Sequence, residues 1–134
     1  MDNITKSGKR KKILIVEDEQ ALRHAMVLKL SQTNFEIDSA ADGREGMDKI
    51  IANHYDFILL DLILPKMDGF EILQQMQQKG IKSNVVVLSN LSQEEDVIKV
   101  KKYGARDYFI KSNIQLSDLV TYINTALLHE NKKE

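Results

Sequence analysis

The carboxylate of Asp61 ends the apolar run Phe57-Ile58-Leu59-Leu60. Such a run is the signature of a strand buried on both faces, where an acid is rare unless it is paired or holds a metal. Pro65 cannot extend a strand and Asp68-Gly69 reads as a helix start, so Asp61 is expected where a strand leaves its sheet. In an open α/β sheet, ligands bind there. An acid so placed can be a nucleophile, a metal ligand or a structural cap, and its company favours the first two. Ile13-Leu14-Ile15-Val16 ends in Glu17-Asp18, Val85-Val86-Val87-Leu88 in Ser89, and Tyr108-Phe109-Ile110 in Lys111. Two acids, a third acid, a hydroxyl and an amine are thereby brought to one edge of a parallel sheet.

The elements that must position these residues are legible in the surrounding pattern. From Ile13 onward, short apolar runs alternate with longer stretches of helical period in five units, which predicts a parallel sheet with crossover helices on both faces. The first helix is expected over 20–31, with Ala21, Leu22, Ala25, Met26 and Val27 on or near its buried stripe. Phe35-Glu36-Ile37-Asp38 alternates apolar and polar residues, as a strand near the sheet edge does. Asp42 with Glu45, Asp68 with Glu71 and Ser92 with Glu95 read as capping pairs that open the second, third and fourth helices. The second is expected to end near Asn53, while Gly80 and Gly104 suit the left-handed closures of the third and fourth. Leu116, Leu119, Val120, Ile123 and Leu127 form the stripe with which the last helix covers the sheet. His24, His54 and His129 have no metal-ligand spacing and read as surface residues. The pairs Gln74-Gln75 and Gln77-Gln78 read as an exposed helix face.

The 134 residues suffice for one sizeable core and are too few for two. Hydrophobic residues make up 43% and charged residues 29%, a globular balance, and a formal net charge of -1 leaves no overall basic field to draw the chain to nucleic acid or an anionic membrane. With no cysteine, disulfides, thiolate chemistry and cysteine-based zinc sites are excluded, and a reducing, cytoplasmic setting fits. Residues 1–11, with Lys6, Lys9, Arg10 and Lys11, are expected to form a basic solvated arm, followed by one domain over 12–130 and a polar tail over 131–134. The first apolar run is only four residues long before Glu17, too short for a signal peptide or a membrane span. No linker sets off a second module, so any signal is expected to pass to a separate protein partner.

Glu17-Asp18, Asp61, Ser89 and Lys111, in that order and spacing, resemble the motif of the receiver domain of two-component response regulators, over roughly Lys12 to Leu128. The resemblance implies a flavodoxin-like (βα)5 fold, a doubly wound five-stranded parallel sheet in the order 2-1-3-4-5. It implies that Asp61 accepts a phosphoryl group from a sensor histidine kinase or phosphotransfer protein with the help of Mg2+. Asp18 and Asp61 would ligate the metal directly, Glu17 through a water, and the backbone carbonyl of Ile63 would complete the protein's share, an oxygen-rich set of the kind Mg2+ prefers. Lys111 would neutralise charge on the transferring group, and Ser89 would hydrogen-bond it once attached. Tyr108 would change rotamer with the Ser89 loop and reshape the face built from the fourth helix, fifth strand and fifth helix. On this reading the protein is a self-catalysed phosphoryl acceptor and not a turnover enzyme.

Three positions depart from that family's usual pattern. Ser112 stands where a cis proline is common, and because a cis non-proline bond costs about 2.5 to 4 kcal/mol the Lys111-Ser112 bond is expected to be trans. Asn90 is larger than the alanine or glycine often found beside the hydroxyl residue and is expected to crowd the phosphoryl's entry. Ile63 replaces a residue that is often polar; with Leu91 it is expected to exclude attacking water and slow self-dephosphorylation. Asn90 and Ser112 leave open a receiver-like interaction module that signals without phosphorylation. A flavodoxin-type cofactor protein or small hydrolase on the same fold is opposed by Glu17-Asp18-Glu19, whose charges repel a cofactor phosphate.

Overall fold

Five parallel strands, β1 (Lys12–Val16), β2 (Glu36–Ala40), β3 (Phe57–Leu60), β4 (Asn84–Ser89) and β5 (Asp107–Ile110), pair in the order β2-β1-β3-β4-β5, as expected. They alternate with α1 (Gln20–Ser31), α2 (Gly43–Ala52), α3 (Gly69–Gln78), α4 (Glu94–Lys102) and α5 (Leu116–Lys132). This computed structural model describes residues 10–132, with side chains described as far as residue 127. Residues 1–9 of the expected arm, 133–134 of the expected tail and the side chain of His129 lie outside that description.

Strand side chains alternate between the two faces of a sheet, and here each face has its own core. Leu14, Val16, Ile58, Leu60, Val85 and Val87 pack with Met47 and Ile50 of α2, Ile72, Leu73 and Met76 of α3, and Val100 of α4. Ile13, Ile15, Phe57, Leu59, Val86 and Leu88 pack on the other side with Met26 and Leu30 of α1 and Leu119, Ile123 and Leu127 of α5. Burying each such side chain contributes about 1.5 to 3 kcal/mol, which is why the central strands read as unbroken apolar runs.

The open edges of the sheet are polar. In β2, Asp38 accepts from the Tyr55 hydroxyl at 2.7 Å and from Lys49 of α2 at 3.0 Å. In β5, Asp107 accepts from the Tyr122 hydroxyl of α5 at 2.8 Å.

Asp42 and Asp68 cap α2 and α3 as expected, accepting from the amides of Glu45 and Glu71 at 2.8 and 2.9 Å. Gly80 and Gly104 take φ of 68° and 98°. The fourth cap is corrected: Gln93, not Ser92, precedes α4 and makes no side-chain cap bond. The turn before α4 is tied down through Leu91, so the helix starts one residue later, and Glu94, Glu95 and Asp96 meet its dipole with charge instead. In α1 the buried residues are Met26 and Leu30, whereas Ala21 is exposed in the first turn. Gln77 and Gln78 are exposed, but Gln74 donates to the Tyr103 hydroxyl at 3.0 Å and so ties α3 to the end of α4.

The arm boundary also shifts, because Lys11 is 5% exposed, its carbonyl accepting the Glu36 amide at 2.9 Å and its ammonium lying 4.0 Å from Asp56. A lysine stem can be covered by the fold while its head reaches an acid, and a run of like charges hides this in the sequence.

Candidate functional site

The strand register sets the acids side by side. Val16 is paired with both Ala40 and Leu60, and one residue further the Glu17 amide donates to the Ala40 carbonyl and the Asp61 amide to the Val16 carbonyl, each at 3.1 Å. Gly69 lets α3 begin against this strand end: a Cβ there would lie 2.4 Å from the Asp61 carbonyl oxygen. The Gly69 amide instead reaches the Leu62 carbonyl at 2.9 Å.

Lys111 follows β5, where Ile110 pairs with Ser89, and it opens a 3-10 turn over Lys111–Asn113. All described peptide bonds are trans, Lys111-Ser112 among them, as expected. Its ammonium lies 2.7 Å from Glu17 Oε1 and 2.7 Å from Asp61 Oδ2. Both acids are buried, at 1% and 4% exposure, so this cation is their main compensation. Burial alone would lower the lysine's pKa, but the bonds and charges of Asp61 and Glu17 outweigh it and hold the ammonium above its ordinary value. Burial raises Glu17 above the ordinary carboxylate range against the opposing bonds from Lys111 and the Glu19 amide.

Asp18 is exposed, yet one carboxylate oxygen from each of Glu17, Asp18 and Asp61 falls within 4.8 Å of the others. Three oxygen donors so close suit a hard divalent cation, which prefers carboxylates and water to nitrogen or sulfur. Ile63 turns outward with 58% of its surface exposed, and its amide reaches Asp61 Oδ1 at 3.3 Å.

Ser89 is fully buried, and its Oγ accepts from the Leu91 amide at 3.4 Å. Tyr108 donates its hydroxyl to the Leu91 carbonyl. Both expected switch residues therefore converge on the backbone of one residue of the β4–α4 loop, Ser89 on the Leu91 amide and Tyr108 on its carbonyl. Asn90 is exposed beside it. Leu91 is partly buried and packs against the core on the α2–α4 face, whereas Ile63 is exposed.

Two contributors escaped the sequence reading. Arg23, one turn into α1, donates to the backbone carbonyls of Glu17 at 2.9 Å and Asp18 at 3.3 Å, holding the loop that carries both acids. Lys66 adopts φ of 72° between Pro65 and Met67, where the Pro65 carbonyl accepts the amides of Met67 at 2.8 Å and Gly43 at 3.1 Å. That tight turn seats the loop after Asp61 on the start of α2. The signals were an arginine soon after an acidic pair and a proline four residues after an acid, both too common to read alone.

A doubly wound parallel sheet with three acids, a hydroxyl and an ammonium at its carboxyl edge defines a flavodoxin-like domain with an acidic pocket at the strand ends. The chain belongs to the response regulator receiver domain family, whose model matches residues 13–124. It is 34% identical over 122 residues to the response regulator ArlR of Staphylococcus aureus, an alignment covering 91% of this chain and 55% of that protein. The chain thus spans about half the length of the curated relatives it matches. A CheY-like receiver domain protein from Methanospirillum hungatei superimposes with a TM-score of 0.85 at 27% identity, covering 92% of this chain and 98% of that one. The CheX-CheY-BeF3-Mg2+ complex from Borrelia burgdorferi gives 0.83 at 25% identity, with 92% and 95% covered. Receiver domains are signalling switches rather than turnover enzymes, and they bind Mg2+ at an acidic pocket. No helix among the described residues is long and apolar enough to cross a membrane.

Proposed function

We propose that this chain is a phosphorylation-driven switch in which Asp61 accepts a phosphoryl group from a phosphohistidine on a sensor kinase or phosphotransfer protein. The observation that carries the reading is the gathering of Glu17, Asp18 and Asp61 within 4.8 Å, with the Lys111 ammonium 2.7 Å from Asp61. The donor's P–N bond breaks with its electron pair passing to the imidazole nitrogen, and a P–O bond forms to an Asp61 carboxylate oxygen. Little covalent assistance is needed, so positioning and charge neutralisation dominate. Glu17, Asp18, Asp61 and the Ile63 carbonyl are the residues that would hold Mg2+, which when bound supplies charge neutralisation among carboxylate and phosphoryl oxygens. Lys111 supplies a second positive charge from the turn that follows β5.

Ser89 and Tyr108 carry the readout. A Ser89 hydroxyl that donates to a phosphoryl oxygen draws its Oγ toward that group, and with it the Leu91 amide that donates to Oγ, while the Leu91 carbonyl is where Tyr108 is anchored. One local event thereby moves the β4–α4 loop, the aromatic and the face of α4, β5 and α5, which a downstream protein partner reads. The Borrelia burgdorferi complex with BeF3, Mg2+ and CheX supports this reading.

The test is the intact mass after incubation with a small acyl phosphate. A single phosphoryl increment is expected with Mg2+ and only slowly without it. Asp61→Asn should abolish the increment while keeping the native circular dichroism; an undiminished increment in that variant would defeat the assignment.

A further inference from the structure

The opposite end of the molecule holds a second feature that the phosphoryl chemistry does not use. Between the ends of α3 and α4, at the start of β4, lies an open cleft of about 240 Å³. Its floor is apolar, made by Leu73, Met76 and Val85, with Ile81 and Tyr103 as walls. The volume exceeds the roughly 150 Å³ that accommodates a benzene ring, so it is the size of one aliphatic or aromatic anchor. Hydrogen bonds from Gln74 to the Tyr103 hydroxyl at 3.0 Å and from Gln77 to the Lys102 carbonyl at 3.3 Å link the two helices across it.

The rim is basic. No Asp or Glu occurs over 72–93 or 97–106, whereas Lys79, Lys82, Lys101, Lys102 and Arg106 do and all are exposed. Lysines near a helix C-terminus offset the dipole, which accounts for Lys79, Lys101 and Lys102. Lys82 and Arg106 lie beyond the helices and gain nothing from that; Lys82 lines the cleft, and the Arg106 amide bonds the Val85 carbonyl of its floor at 2.8 Å. Two acids stand close by and are already engaged: Asp107, next to Arg106 in the chain, by the Tyr122 hydroxyl at 2.8 Å, and Asp56 by the Lys12 amide at 2.8 Å and Lys11 at 4.0 Å.

We propose that this cleft docks an acidic segment of a partner protein through one buried apolar side chain, independently of phosphorylation at Asp61. An apolar anchor in a pocket with a charged rim is the usual anatomy of a specific protein contact. A nucleic-acid backbone would engage the cations and leave the apolar floor uncovered.

The experiment uses the full chain, 15N-labelled, titrated with a short synthetic peptide carrying one leucine among glutamates, and with its counterpart bearing serine for leucine. Saturable shifts confined to Gly80, Ile81, Tyr103, Gly104 and their neighbours are expected, with the leucine peptide binding at least about tenfold tighter than the serine one. Lys82→Glu with Arg106→Glu should weaken the leucine peptide about tenfold, Gln77→Trp should obstruct the exposed mouth, and the peptide should bind Asp61→Asn, which cannot be phosphorylated, with the affinity it has for the wild type. Equal binding of the two peptides, or binding that survives both cleft variants, overturns the proposal. Tighter binding of a DNA duplex at the same residues overturns it also.

Discussion

The guanidinium of Arg23 donates to the carbonyl of Glu17 across 2.9 Å, so a residue that carries no acid fixes where the acids stand. Groups that orient metal ligands at one remove typically affect affinity about 10- to 100-fold. Arg23→Ala is therefore expected to weaken Mg2+ binding about tenfold by isothermal titration, while costing only about 1 kcal/mol in urea unfolding because the side chain is half-exposed. Arg23→Lys should recover part of the affinity. If Mg2+ binds Arg23→Ala as it binds the wild type, the loop keeps its shape without the arginine.

Phosphoryl lifetime should depend on Ile63 more than on Leu91, since Ile63 is exposed at the rim of the acids and Leu91 is packed against the core. Ile63→Asn is expected to speed loss of phosphate several-fold by giving water a polar guide, with unchanged Tm. Leu91→Asn should instead lower Tm. The measurement is decay of the purified phosphoprotein in Mg2+, and a faster decay confined to the Leu91 variant would reverse the assignment.

Tyr108→Phe removes the hydroxyl that holds the Leu91 carbonyl. A half-exposed bond of this kind contributes about 1 kcal/mol. Faster amide exchange confined to residues 90–93 is expected in the variant; uniform exchange rates would mean that the tyrosine does not restrain the loop.

Stability should respond to pH through Asp38. Burial would raise this carboxyl, but bonds from Tyr55, Lys49 and the Ser39 amide outweigh it and hold its pKa below the ordinary value. A depressed carboxylate stabilises the fold above its unfolded pKa, near 3.9, and that contribution is lost as pH falls through the lower folded value. Asp38→Asn should therefore cost about 1 kcal/mol at pH 7, the figure appropriate to a partly exposed group, and the gap to wild type should close as unfolding is measured at progressively more acidic pH. A gap independent of pH would mean that shape, not charge, holds β2 to α2.

Lys66 tests local strain. A non-glycine residue at φ of 72° bears a penalty of roughly 1–2 kcal/mol, partly offset in Lys66→Gly by the extra freedom of the unfolded chain. Lys66→Gly is expected to stabilise by about 0.5 kcal/mol and Lys66→Val to destabilise by at least about 1 kcal/mol in urea unfolding. Destabilisation by Lys66→Gly as well would show that the ion pair of Lys66 with Asp42, 3.5 Å long, outweighs the backbone.

Much of this architecture was legible because it rests on local rules. The period of the apolar runs located the five strands, Asp42 and Asp68 announced two helix starts, and the polar residues ending the runs named the acids, Ser89 and Lys111. What was hidden depends on how loops travel. Ser92 resembles a cap as well as Asp42 does, but the ties on Leu91 keep it in the loop, and no local pattern records a bond from Tyr108 to a carbonyl 17 positions earlier. Arg23 reads as a solvated helix charge until the path of the β1–α1 loop is known. Lys11 reads as part of a basic run until Asp56 is placed beneath it.

Asp38 in β2 and Asp107 in β5 share a further consequence: each open margin of the sheet carries an acid turned inward onto a tyrosine hydroxyl. A stranger's strand laid along either margin would have to settle beside a charge already committed to its own fold, and inward-pointing charges on edge strands are a recognised barrier to such pairing. Copies crowded together are thereby kept from zipping edge to edge into fibrils, although every strand between those margins is apolar enough to do so.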